Sequence, residues 1–194
     1  MDRREAIKRT AWLMGGIVSA PAIMGVLNGC TAKPTIDWKP EFLSPDQASL
    51  ISEVAEVIIP KTNTPGAKDV GVPSFIDLML KDVYSKEDQD RFINGLKEFD
   101  AAAETTYGDP FNELDDEQRA EHTKKIHDEA IAAEKSDKKP EKRPFILMMK
   151  ELTMLGFFTS EAGATQVLQY DPVPGAYKGC IPVSEAGNGR TWAT

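Results

Sequence analysis

Few side chains in this sequence are suited to acid–base, nucleophilic or metal chemistry. There are two histidines, His122 and His127, and two cysteines, Cys30 and Cys180. The histidines are five positions apart, whereas metal ligands on one helical face need a spacing of about three or four. Cys180 has no histidine near it in sequence, so packing or a partner contact explains it better than catalysis. One hypothesis that stays open is a hidden catalytic site built from His122, His127, Tyr170 and Cys180.

Motifs for nucleotide or haem binding are also missing from the sequence. No glycine-rich phosphate loop follows a strand pattern, and there is no Cys-x-x-Cys-His haem attachment motif. The acidic run Asp115, Asp116 and Glu117 stands where a helix would begin, and the helix dipole explains it without catalysis. The sequence therefore predicts no catalytic residue, metal ligand or cofactor site in this chain.

The composition favours one folded, acidic domain. The chain has 194 residues, of which 41% are hydrophobic and 8% aromatic, enough for an ordinary core. The formal net charge is −8. Removing residues 1–30, with four basic and two acidic side chains, leaves −10. Because such a body repels phosphate backbones, we expect no nucleic-acid partner.

The first residues have the character of an export signal. Arg3 and Arg4 precede an uncharged stretch, residues 10–27, that is interrupted by glycine and proline and suits a signal better than a spanning helix. With Ile7 and Lys8 the pattern resembles a twin-arginine signal, which exports proteins already folded. An ordinary secretory signal or an uncleaved anchor is the alternative.

The end of this stretch resembles a bacterial lipoprotein cleavage box. Leu27-Asn28-Gly29-Cys30 would make Cys30 the lipidated first residue of the mature chain, anchored to the membrane without a spanning helix. Cleavage near Ala20 or Ala22 is the alternative. We therefore expect a location on the periplasmic side of a bacterial membrane, after a signal at 1–30.

The remainder predicts a linker at 31–43 and an all-α domain at 44–194, with about five helices and an extended, irregular C-terminal tail. The helices are expected from a Ser44 cap to Pro60, from about Val72, from Ser85 to Tyr107, from about Asp115 to Glu134, and from Phe145 to near Gly156. Apolar residues at helical spacing form the expected core; examples are Leu50, Ile51, Val54, Ile76, Leu80, Val83, Phe92, Leu96, Phe99, Ile126, Met149, Leu152 and Leu155. The fourth helix is the most polar and is expected at the surface.

Three segments carry a resemblance to a known family. They are IIPKTNTPGA at 58–67, LTMLGFFTS at 152–160 and YDPVPGAYKGC at 170–180. Together they resemble the gluconate 2-dehydrogenase small-subunit (subunit 3) family, with similarity from about Ser44 to Trp192.

The resemblance implies a non-catalytic accessory subunit. In that family the partner is a large FAD-dependent subunit of the glucose-methanol-choline type, which oxidises a sugar or polyol. FAD is expected in the partner and no cofactor in this chain. The small subunit's signal would carry the folded pair outward, and a cytochrome c is one candidate electron acceptor. The lipoprotein box departs from members that are anchored by a membrane cytochrome subunit.

The irregular segments are the expected contacts with that partner, since proline-rich and aromatic loops suit docking. The residues predicted to dock are Thr62, Pro65, Gly66, Phe157, Phe158, Tyr170, Pro174 and Tyr177. The aromatic residues could instead fold back onto the helices. A stand-alone lipoprotein that binds a small ligand in a concave apolar pocket is the alternative function.

Overall fold

The computed structural model describes residues 36–136, 142–173, 175–176, 179–185 and 189–193. Five α-helices form the domain: α1 (Pro45–Ile58), α2 (Val72–Asp82), α3 (Lys86–Tyr107), α4 (Asp116–Lys135) and α5 (Phe145–Phe158). A short 3₁₀ helix, Phe111–Glu113, precedes α4, and a π-helical turn, Gly163–Val167, follows α5. The prediction of an all-α domain with about five helices is confirmed.

The helix ends follow local sequence chemistry. Ser44 and Asp115 each cap a helix through a reciprocal bond pair with the glutamine three positions later, Gln47 and Gln118. Helix α3 ends at Tyr107 and is capped by Gly108, whose positive φ of 92° suits a residue without a Cβ atom. These short-range patterns explain why the predicted and observed helix starts agree so closely.

Helix α5 lies at the centre of the domain and contacts each of the other four α-helices. Nine of its fourteen residues are buried. The approach of α3 is close, because a Cβ atom on Gly95 would lie 2.3 Å from the Cβ atom of Phe145. Only glycine fits there, so this position sets the distance between the two helices.

An aromatic cluster fills the space between α3, α4 and the start of α5. Phe99 lies 5.0 Å from Phe111 and 5.9 Å from Phe145, measured between ring centres. The His122 ring lies 4.6 Å from that of Phe99. His122 is fully enclosed, and its Nε2 is 3.0 Å from the carbonyl oxygen of Phe99. This histidine is therefore part of the core.

The structure departs from the predicted core in three places. Leu155 and Val83, expected inside, are exposed. On α4 the buried residues include His122 and Thr123, whereas Ile126 is only half-buried. Residues 36–43, assigned to the linker, lie against the domain, with Leu43 buried and Trp38 partly buried. Each departure reflects packing between segments distant in sequence, which helical periodicity does not encode.

The two ends of the C-terminal segment pair with each other. Gln169 forms an isolated parallel bridge with Trp192, and no strand occurs elsewhere in the described parts of the chain. Among these same residues, no helix is both long enough and apolar enough to cross a bilayer.

Candidate partner-docking surface

The loop between α1 and α2, residues 59–71, is built around two carboxylates, and we call it the braced loop. Glu56 accepts hydrogen bonds from the backbone N–H groups of Lys61 and Lys68, both at 2.9 Å. Asp69 accepts from the Gly66 N–H at 3.0 Å and from the Lys61 ammonium at 3.1 Å. The Gly66 bond, followed by that from Lys61, lowers the pKa of Asp69. The loop is thus held in one shape by Glu56 near the end of α1 and by its own Asp69.

Gly66 has a structural reason to be glycine. A Cβ atom there would lie 2.3 Å from Glu56 Oε1 and 2.7 Å from the backbone nitrogen of Lys61. Gly66 is buried, Pro65 is half-buried and Thr62 is exposed. Of the three loop residues predicted to dock, Thr62 is therefore the one that the structure presents fully to solvent.

A second brace joins the loop to α4. Glu53 forms ion pairs with Lys68 at 2.7 Å and with Arg119 at 3.0 Å. Arg119 also donates to the carbonyl oxygens of Phe111, at 3.2 Å, and Asn112, at 2.6 Å. The guanidinium group therefore ties together α1, the 3₁₀ helix and α4.

At the end of α5, the two phenylalanines that were predicted to dock differ in burial. Phe157 is only 2% exposed and belongs to the core, whereas Phe158 is half-buried, with ring centres 5.3 Å apart. The apolar residues of α5 that reach solvent here are Leu155, at 47%, and its neighbour Met154. Leu78 is exposed on α2, the helix that packs against α5. We call Leu78, Met154 and Leu155 the helical patch.

The tail, residues 169–193, exposes large apolar side chains. Val173 is 79% exposed and Tyr170 55%, and Val183 and Trp192 are also exposed. Cys180 is a free, exposed thiol. Pro174 and Tyr177, also predicted to dock, lie outside the described residues, as do Arg3, Arg4 and Cys30.

A buried carboxylate that sequence reasoning missed holds the segment before α1. Asp77 is 1% exposed and accepts backbone hydrogen bonds from Glu41, Phe42 and Leu43 at 2.7, 3.2 and 2.8 Å. Nearby, an ion pair with Lys81 lowers the pKa of the Glu41 carboxyl. The sequence contained a sign of this role, because Asp77 stands on the apolar face of α2, among Ile76 and Leu80.

The residues proposed for a hidden catalytic site occupy different environments. His122 lies in the core, where burial lowers the pKa of its imidazole. His127 borders a surface cavity, and Tyr170 and Cys180 are exposed. Within the described residues, no group of three or more histidine, cysteine or acidic side chains is placed to hold a metal ion.

Comparison with known proteins identifies the family. No curated protein and no solved structure matches the chain. The family model described as gluconate 2-dehydrogenase subunit 3 matches residues 45–175, a span that includes all five α-helices, the braced loop and the helical patch. This match covers more than half of the 194 residues. The chain belongs to the gluconate 2-dehydrogenase subunit 3 family.

Proposed function

We propose that this chain is the non-catalytic small subunit of a periplasmic dehydrogenase complex whose larger subunit holds FAD. That subunit would be of the glucose-methanol-choline type and would oxidise a sugar or polyol. Family membership implies the coarser statement, an accessory subunit alongside a larger dehydrogenase subunit. The substrate class, the flavin and a cytochrome c acceptor are our proposals.

The observation that best supports a permanent partner is the distribution of exposed apolar side chains. The described residues expose eight large hydrophobic side chains, of which four belong to the tail and three to the helical patch. Soluble monomers rarely leave large groups of apolar side chains in water, and such surfaces commonly mark interfaces. We therefore assign docking to the tail and the helical patch, with Thr62 of the braced loop as an additional contact.

Export and anchoring belong to the same proposal. The twin-arginine pattern at Arg3 and Arg4 would carry the folded pair, with its flavin inserted beforehand, across the membrane. Lipidation at Cys30 would then hold the complex on the periplasmic side. Incorporation of labelled palmitate into the native chain, but not into a Cys30→Ser variant, is the expected result.

Affinity capture of the full-length chain from its native membranes tests the central claim. We expect a dehydrogenase-sized companion whose visible absorbance is that of flavin. A colourless chain captured alone would contradict the proposal and favour the alternative, a stand-alone lipoprotein that binds a small ligand.

A pair of variants locates the interface in the same experiment. Replacing Met154 and Leu155 with serine removes exposed apolar surface from α5 and should reduce the captured flavin several-fold. The matched control is Ala101→Ser on the exposed side of α3, which should leave capture unchanged. Equal capture by both variants would exclude the helical patch from the interface.

A further inference from the structure

A small cavity has none of the proposed docking residues in its lining. Its volume is about 250 Å³, and it is bordered by the end of α1, the middle of α4 and the first half of α5. Four aliphatic side chains form its apolar walls: Val57, Ile58, Ala120 and Ile146. The polar lining consists of Thr123, Lys124, His127 and Lys150. The cavity thus combines a hydrocarbon wall with a basic edge.

One positive charge at this edge lacks an opposite charge. Lys124 pairs with Asp128 at 2.6 Å. Lys150 Nζ instead lies 3.1 Å from His127 Nε2, and no carboxylate in the described part of the chain is within ion-pair distance of it. Since an ammonium group can only donate, Nε2 must accept, which places the proton of a neutral His127 on Nδ1. That nitrogen is 3.4 Å from Asp128 Oδ1.

Three carboxylates on α1 and α5 that are close in sequence to the cavity lining already have other partners. Glu53 pairs with Lys68 and Arg119, and Glu56 accepts two backbone hydrogen bonds from the braced loop. Glu151, next to Lys150 in sequence, pairs with Arg143. An anion that neutralises Lys150 therefore has to come from outside these groups.

A larger cavity of about 490 Å³ beside α3 provides the contrast. Its cations are Arg91, Lys142 and Arg143. Arg91 pairs with Asp88 at 2.9 Å, Lys142 pairs with Glu87, and Arg143 pairs with Glu151. Every basic side chain on that wall has a carboxylate partner, so uncompensated charge distinguishes the smaller cavity.

We propose that the smaller cavity binds a small monocarboxylate with a short aliphatic chain. Its volume corresponds to about eight water molecules at roughly 30 Å³ each, which suits a chain of a few carbons. The carboxylate would replace His127 as the acceptor for Lys150, and the hydrocarbon would lie against Val57, Ile58 and Ile146. Thr123 lines the cavity, and its buried hydroxyl makes no hydrogen bond within the described protein. A single ammonium group with aliphatic walls favours one negative charge over a phosphate.

The two histidines provide an internal control for the test. The full-length chain without a histidine tag gives two sets of imidazole signals after selective ¹⁵N-histidine labelling, one for each of its two histidines. Titration with butyrate and hexanoate should shift the His127 signal saturably, while that of the buried His122 stays in place. Hexanol, which has the chain without the charge, should cause no saturable shift.

Three variants decide whether the cavity is responsible. Lys150→Gln should weaken hexanoate binding by about tenfold or more, as expected for loss of a charge-assisted bond. Ala120→Leu fills space from an exposed wall position without removing Lys150, and should also abolish the shift. Lys97→Gln, on the exposed side of α3, is the matched control and should bind normally.

Absence of a saturable carboxylate shift, or equal shifts with hexanoate and hexanol, would overturn the proposal. A second pair of results would also overturn it: the native chain binds no hexanoate, and Lys150→Gln no longer captures the flavoprotein partner. Those results would mean that the cavity receives a carboxylate of the partner. The titration uses this chain alone, so its outcome is independent of the proposed dehydrogenase complex.

Discussion

The braced loop and the tail look alike in sequence and differ in structure. Both are rich in proline and glycine, and both carry part of the resemblance to the family. In the loop, Glu56 and Asp69 accept hydrogen bonds from backbone groups, and Gly66 and Ala67 are buried. In the tail, Tyr170 and Val173 are exposed and the described backbone pairing is limited to a few bonds.

The difference shows that the loop motif serves the fold, whereas the tail motif is one that we propose for contact with the partner. Gly66 is required by the position of the Glu56 carboxylate, an entirely internal reason. Exposed side chains in the tail have no such internal reason, and burial against another protein would remove their apolar surface from water. We therefore expect substitutions in the loop to lower the free energy of unfolding and substitutions in the tail to weaken binding to the proposed partner.

The largest effect on stability is expected at Asp77, where the same bracing device is fully buried. Asp77→Ala leaves three backbone N–H groups without their acceptor and should lower the free energy of unfolding by about 3 kcal/mol. Urea unfolding of the full-length chain measures this. Asp82→Ala, on the exposed end of the same helix, is the control and should stay within about 0.5 kcal/mol. If Asp77→Ala lowered the free energy of unfolding no more than Asp82→Ala does, the buried hydrogen bonds of Asp77 would contribute little to stability.

A smaller loss is expected in the braced loop. Gly66→Ala forces Glu56 away from the Lys61 and Lys68 N–H groups, which should lower the free energy of unfolding by about 2 kcal/mol. Gly175→Ala in the tail is the matched control. It meets no atom within 4 Å but has a positive φ of 68°, so its cost should be about 1 kcal/mol, from the left-handed backbone alone. A larger loss of stability for Gly175→Ala than for Gly66→Ala would contradict the difference between the braced loop and the tail.

The smallest effect on stability is expected in the tail. Tyr170→Ser and Trp192→Ser remove exposed aromatic side chains, while the backbone bonds between Gln169 and residues 191 and 193 can remain. Unfolding free energies should therefore change by less than about 0.5 kcal/mol. In affinity capture, the double variant should retain several-fold less flavoprotein. Normal capture would mean that the tail is not an interface.

Helix positions were predictable because their determinants are local. The reciprocal Ser44–Gln47 and Asp115–Gln118 caps span three residues each, and the periodicity of α3 placed Phe92, Leu96 and Phe99 correctly in the core. Family membership was also predictable, because each of the three segments that carry the resemblance is a continuous stretch of sequence. The predicted spans and the observed ones differ by only a few residues as a result.

The rest depends on contacts between distant residues. Asp77 binds backbone groups 34 to 36 positions away, and Lys150 meets His127 across 23 positions. Periodicity placed Leu155 in the core, yet α5 has a side that no other described element covers, and Leu155 lies there. The docking role of Phe157 was predicted from its position in a motif, whereas its ring fills the interior.

The bridge between Gln169 and Trp192 turns the C-terminal region into a closed loop. The Gln169 N–H donates to the carbonyl oxygen of Thr191, and the Ala193 N–H donates to that of Gln169, both at 2.8 Å. The entropy of closing such a loop changes slowly with its length, by about 0.6 kcal/mol for each doubling. A change in the number of residues between Gln169 and Trp192 should therefore alter the stability of the helical domain by only a few tenths of a kcal/mol. The bridge would hold the two ends of this segment together while its length changes.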